Sequence, residues 1–182
     1  MKNWKEVAVL MCISFFGTGI ISKRMPGTVG SFFATLLIIF TKPELIPYIF
    51  IIFLVAGLYC CSLFFKQKNI DFSDKDPGFI VIDEACGIYG CGIFLATVNH
   101  VSPIDFAMSF VLFRFFDIWK PWPIKQVEYR LKQGKHFFRV NVRSAHNRNV
   151  NDKLAVIGIM IDDIMAAVYA TFVHAVYIYL TL

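Results

Sequence analysis

The residues best suited to chemistry in this chain are carboxylates and the basic side chains close to them. Of 13 Asp and Glu residues, six stand at or near the ends of long apolar stretches: Asp76, Asp83, Glu84, Asp117, Asp162 and Asp163. An ionised group near the centre of a membrane helix costs roughly 2.5–3.5 kcal/mol on insertion scales, so such groups are expected to be paired or to hold a cation. Carboxylates grouped without His or Cys suit hard ions. Magnesium is the foremost of these, since it takes oxygen ligands and commonly joins protein carboxylates to a substrate phosphate.

Four segments carry these groups. In DPGFIVIDEACG, Asp76-Pro77-Gly78 reads as a turn, and Asp83 is an acceptable N-cap for a helix beginning at Glu84. Capping accounts for Asp83 but not for Glu84, which faces an apolar run with Gly87 one turn on to admit a close neighbour. In FRFFDIWKPWPI, the residues Arg114, Asp117 and Lys120 are spaced to share one helix face until Pro121 stops the helix. The plain reading is an internal salt-bridge ladder, with Trp119 and Trp122 as interfacial anchors. The sharper one adds that Arg114 and Lys120 bind phosphate beside a metal-binding Asp117. In GIMIDDIMAA, Asp162 and Asp163 are neighbours on a helix and point about 100° apart, so one ligand and one supporting partner are expected. In KRMPGTVGS, Pro26-Gly27 makes a turn, and Thr28 and Ser31 can cap a following helix whose free amides form an anion site. The expected metal ligands are therefore Asp83, Glu84, Asp117 and Asp162. Asp163 is a further catalytic group, and Asp163 or Glu84 is the better candidate for general acid or base.

The elements that must position these side chains follow from composition. The chain has 182 residues, 57% of them apolar and 17% charged. That excludes disorder and makes a water-soluble globule hard to build, so the chain reads as a membrane protein with a single domain over 1–182. Windows at 48–65 and 164–182 qualify cleanly as spans, while those at 29–40, 85–98 and 104–118 are shorter or carry charge. Sustained apolar–polar alternation is absent, so the expected fold is all-α. Basic groups fall at 23–24, 66–75 and 120–153, and Lys and Arg mark the cytoplasmic side of short loops. The simplest topology is a helical hairpin over 29–65, a second over 85–118 and a last span from about 155 to 182, giving five crossings in a compact bundle with the carboxyl end outside. The segment 7–21 is then an interfacial or re-entrant helix, retained in the mature protein because no small-residue cleavage pattern follows it.

The net charge of +5 is concentrated. Residues 119–153 hold nine basic groups against Glu128 and Asp152. Nothing here looks like a nucleic-acid-binding fold, so this basic loop marks the side facing anionic lipid and no nucleic-acid partner is expected. Within it, 134–142 reads either as a short strand pair or as a helix-loop on the lipid surface. The five cysteines contain no CxxC pair and suggest neither disulfide nor zinc, and the four histidines are scattered, each read as solvated or interfacial. The topology, built without the motifs, puts all four segments on one face of the membrane, which argues for a single site.

At PGTVGS, DPGFIVIDEACG, FRFFDIWKPWPI and GIMIDD the chain closely resembles the phosphatidylglycerophosphatase A family. That resemblance implies a magnesium-dependent, multi-pass enzyme of the bacterial inner membrane. Its site faces the cytoplasm, and it dephosphorylates the anionic phospholipid phosphatidylglycerophosphate to phosphatidylglycerol. One departure is visible: the family usually follows its aspartate pair with Ala-Gly, where this chain has Ala166-Ala167. Cys86 and Cys91 lack the arginine-cradle loop of cysteine phosphatases and no DxDxT run is present, so a metal-activated water is favoured over a covalent nucleophile. The competing class is a small ion or metal transporter, because intramembrane carboxylates also mark ion pathways. Their confinement to one face beside Arg114 and Lys120 favours lipid-phosphate chemistry. A third reading is a structural protein whose charges only pair internally.

Overall fold

The computed structural model describes residues 4–68, 77–98, 101–127 and 148–181. Asp76, His100, His136, His146, the segment 134–142 and most of the basic loop lie outside them. Among the described residues all regular structure is helical: α1 (Trp4–Ile13), α2 (Thr18–Ile21), α3 (Pro26–Ile39), a 3-10 turn (Pro43–Leu45), α4 (Ile46–Lys68), α5 (Ile82–Leu95), α6 (Pro103–Trp119) and α7 (Arg148–Thr181).

The first helix stops because Ser14 turns its hydroxyl back onto the Leu10 carbonyl at 2.6 Å and accepts the Gly17 amide at 3.1 Å. The chain then passes through three consecutive positive-φ residues, Phe15, Phe16 and Gly17. This break leaves the Ile13 carbonyl open to the Val81 amide, which donates to it at 2.9 Å. The residue just before α5 is thereby tied to the end of α1. At the far end, α6 begins with a reciprocal capping box between Ser102 and Asp105.

Helix α5 is the hub, packed by α3, α4, α6 and α7. A helix surrounded by protein carries apolar or small residues all round, and α5 does, with Ala85, Cys86, Gly87, Gly90, Cys91 and Gly92. At Gly87 even a methyl group would run into the Phe113 ring of α6, so the close neighbour expected there is Phe113. Ala167, where the family usually has glycine, presents its methyl at ordinary contact distance from the space over Gly90. Pairwise contacts run in order along the helices, so α3, α5 and α7 are parallel, with α4 and α6 antiparallel to them.

The outward faces are apolar. Phe32, Phe33, Ile51, Ile52, Val55, Val111, Phe115, Val168 and Phe172 are all exposed, a belt that a water-facing protein of this size does not carry. The protein associates with a membrane. Two helical stretches, Pro43–Lys66 and Val156–Thr181, are long and apolar enough to cross one. The 14 residues of α3 and of α5 and the 17 of α6 fall short of it. At roughly 1.5 Å per residue they span about 21–26 Å against a hydrocarbon core of about 30 Å. Length alone therefore marks two spans where five were expected.

Candidate functional site

All four segments converge at one end of the bundle: the starts of α3 and α5, the end of α6, and Asp162 and Asp163 within α7. Carboxylate oxygens of Asp83, Glu84 and Asp163 lie within 4.8 Å of one another. Asp163 is 4% exposed and also feels the negative charge of Asp117 and Asp162. Two oxygens in this group, Glu84 Oε2 and Asp163 Oδ2, are buried without a hydrogen-bond partner among the described residues. Buried polar atoms are ordinarily satisfied, so a pair of orphaned carboxylate oxygens in an oxygen-only cluster fits a hard divalent cation. Asp83, Glu84 and Asp163 are the residues that would hold it.

Of the four ligands expected, Asp83 and Glu84 stand in this group, Asp117 and Asp162 do not, and Asp163 joins it instead; helix geometry gives the reason. Asp162 and Asp163 point in different directions from α7. The first meets Lys120 Nζ at 2.6 Å, while the second turns toward α5 and its carboxylate pair. Asp117 in turn accepts Arg114 Nη1 at 2.7 Å.

Three local expectations are corrected. Helix α6 ends at Trp119, and Lys120 adopts a left-handed cap conformation with φ 45° and ψ 68°, which removes it from the stripe of Arg114 and Asp117. The ladder is therefore one rung long, and Lys120 serves instead to bind α6 to α7. Helix α5 begins at Ile82, so Asp83 lies inside the first turn. It is not the N-cap residue, which is Val81, and its Oδ1 accepts the Glu84 amide at 3.1 Å. Helix α3 likewise begins at Pro26, which puts Thr28 and Ser31 inside it. Ser31 donates back to the Gly27 carbonyl at 2.7 Å and lies 3.5 Å from Arg114 Nη1.

A cavity of about 370 Å³ opens onto this cluster, within the range of about 300–1,000 Å³ typical of small-molecule sites. Asp83, Glu84, Arg114 and Thr28 line it and are all at least partly buried, whereas Arg24 and Gly78 on the turns that complete the lining are exposed, so those turns form its mouth. Gly27 lets the walls close: a methyl there would strike the Glu84 carboxylate and crowd Arg114 Nη1. Cys86 and Cys91 are buried in α5 and point to the backbone carbonyls of Phe50 and Ala167. Neither lines the cavity.

The chain matches the family model for phosphatidylglycerophosphatase A over residues 11–138. It is 35% identical over 162 residues to phosphatidylglycerophosphatase A of Haemophilus influenzae, covering 87% of this chain and 81% of the relative. The Escherichia coli protein of the same name is 33% identical over 156 residues, 84% and 73% of the two chains. The chain belongs to the phosphatidylglycerophosphatase A family. A Bacteroides thetaiotaomicron protein provisionally named a phosphatidylinositol-3-phosphatase is 26% identical over 165 residues, 88% of this chain and 87% of its own. No solved structure matches. The family match spans the first three segments and ends before Asp162 and Asp163, which the fold brings onto the other three.

Two features go beyond what the sequence predicts. Arg24 reads in the sequence only as a loop charge, yet it lines the cavity. His174, expected to be solvated or interfacial, is wholly buried between α6 and α7, 2.9 Å from Ser109 Oγ through Nδ1 and 3.5 Å from Asp105 Oδ1 through Nε2. The pattern Ser102-Pro-Ile-Asp105 was a legible capping signature, but the histidine's partners lie 65 and 69 positions away and no local pattern names them.

Proposed function

We propose that this protein hydrolyses phosphatidylglycerophosphate to phosphatidylglycerol and phosphate, with magnesium, at the cytoplasmic face of a bacterial inner membrane that it crosses several times. What supports this most directly is a cavity at one end of an apolar bundle that joins an oxygen-only carboxylate cluster to a mostly buried arginine. Among the described residues Asp117 pairs with Arg114 and Asp162 with Lys120, while Asp83, Glu84 and Asp163 gather in one oxygen-only group where added positive charge favours entry of a phosphate. Asp83, Glu84 and Asp163 would hold a divalent ion, which when bound would supply that charge and activate water. Arg114, fixed by Asp117 and Ser31, offers a planar donor set to the phosphoryl oxygens. Asp163 or Glu84 takes a proton from the attacking water as its oxygen bonds to phosphorus and the bond from phosphorus to the glycerol oxygen breaks, and the same carboxyl returns that proton to the leaving glycerol oxygen. The buried placement of Cys86 and Cys91 away from the cavity favours water over a cysteine nucleophile.

The test is phosphate release from phosphatidylglycerophosphate by the purified protein in detergent micelles. Turnover with magnesium that chelator abolishes and added magnesium restores is expected, because all-oxygen sites release hard ions readily. Undiminished turnover in excess chelator would remove the metal from the mechanism, and no turnover on this lipid would remove the substrate.

A further inference from the structure

Arg24 is exposed on the turn that leads into α3, a turn closed by the Met25 amide donating to Ser22 Oγ at 3.2 Å. It lines the mouth of the same cavity whose inner wall carries Arg114, and it has no ion-pair partner among the described residues. The two arginines thus stand at different depths. Arg114 lies beside the carboxylate cluster, where the phosphate to be cleaved must go, and is already engaged with Asp117 and Ser31. Arg24 waits at the entrance with its guanidinium uncommitted. Lys23, the adjacent residue with the same charge, is exposed and does not line the cavity.

The proposed substrate carries two phosphates separated by a glycerol unit, a terminal monoester and an internal diester that remains on the product. We infer that Arg24 binds the internal phosphodiester at the cavity mouth while Arg114 holds the terminal phosphate within, so that Arg24 selects lipids bearing both groups. A guanidinium at this position forms charge-assisted hydrogen bonds with a phosphodiester, and both arginines line one cavity of about 370 Å³. The inference rests on the phosphatase reading of the site. It adds a specificity-determining residue to that reading.

The two reaction products separate the two phosphates, which makes the test direct. Phosphatidylglycerol carries only the diester, and inorganic phosphate stands in for the monoester. In neutral-detergent micelles, Arg24→Gln is expected to raise KM for phosphatidylglycerophosphate about tenfold, the size of one solvent-accessible charge-assisted contact, with kcat nearly unchanged. It should weaken competitive inhibition by phosphatidylglycerol to a similar degree and leave inhibition by inorganic phosphate as in the parent. Arg24→Lys should recover part of the loss, and Lys23→Gln should match the parent in all three measurements. The inference is overturned if Arg24→Gln leaves KM unchanged, if it weakens inhibition by inorganic phosphate as much as by phosphatidylglycerol, or if Lys23→Gln has the same effect. A parent protein inactive on phosphatidylglycerophosphate would overturn the phosphatase reading and this inference together, whereas an active parent with any of those three results overturns this inference alone.

Discussion

Asp162 and Asp163 are chemically identical neighbours whose partners differ completely, one taking Lys120 at 2.6 Å and the other joining Asp83 and Glu84. Their substitutions should therefore fail differently. Asp163→Asn and Glu84→Gln each remove charge from the proposed cation cluster, and each should lower kcat by about a hundredfold or more while also weakening magnesium binding measured by calorimetry. Asp162→Asn should cost less turnover and show non-additivity with Lys120→Met of about 1 kcal/mol or more in a stability cycle, as residues in direct contact do. Equal loss of magnesium affinity in Asp162→Asn and Asp163→Asn would dissolve the distinction. Arg114→Lys should lower kcat/KM at least tenfold, because lysine cannot reproduce the planar fork that serves Asp117, Ser31 and phosphate at once.

Among the glycines at which α3, α5 and α6 approach closely, Gly87 and Gly27 serve different ends. At Gly87 an added methyl meets the Phe113 ring, a contact between helices away from the carboxylates. Gly87→Ala should destabilise the bundle by about 1–3 kcal/mol, read as a fall in melting temperature in detergent, because a packed core accommodates an extra methyl only by strain. At Gly27 the methyl meets the Glu84 carboxylate and Arg114, so Gly27→Ala should abolish turnover with a much smaller change in melting temperature. A Gly27→Ala protein with parental kcat would show that Glu84 and Arg114 need not hold these positions. The opposite end of α6 depends on His174, and His174→Ala should destabilise through the lost Ser109 bond and the cavity left behind while sparing KM.

Across the whole molecule, polar chemistry sits at one end and lipid-compatible surface covers the flanks. From Asp163 to the end of α7 at Thr181 is about 27 Å at roughly 1.5 Å per residue, close to the thickness of a hydrocarbon core. The proposed arrangement puts the carboxylate cluster at the inner edge of the bilayer and the turn at Pro43–Leu45 at the outer one. In a background with the five native cysteines replaced, a cysteine at Lys23 should be labelled by an impermeant reagent only after the membrane is opened, and one at Glu44 in intact spheroplasts. Labelling of both positions from the same side would invalidate the multi-pass orientation.

Helix type and location were legible because their signals are local. Apolar runs, Pro at helix starts and the absence of alternation are properties of neighbouring residues, and the windows at 29–40, 48–65, 85–98 and 104–118 coincide closely with helices, whereas that at 164–182 covers only the later part of α7 and the segment 7–21 is broken between α1 and α2. The site's segments were legible as well, since carboxylates beside apolar runs are conspicuous wherever the chain later folds. Which of those carboxylates face one another was not. Chain spacing places Arg114, Asp117 and Lys120 on one stripe, but the left-handed turn at Lys120 sends that side chain to α7. Similarly, spacing separates Asp162 from Asp163 without saying which turns to α5, for that depends on the rotation of α7 set by all its packed neighbours. Arg24 and His174 belong to the same class. Their surroundings are assembled from residues far away in the chain, and only closure of the bundle brings the Pro77 turn to the one and Ser109 and Asp105 to the other.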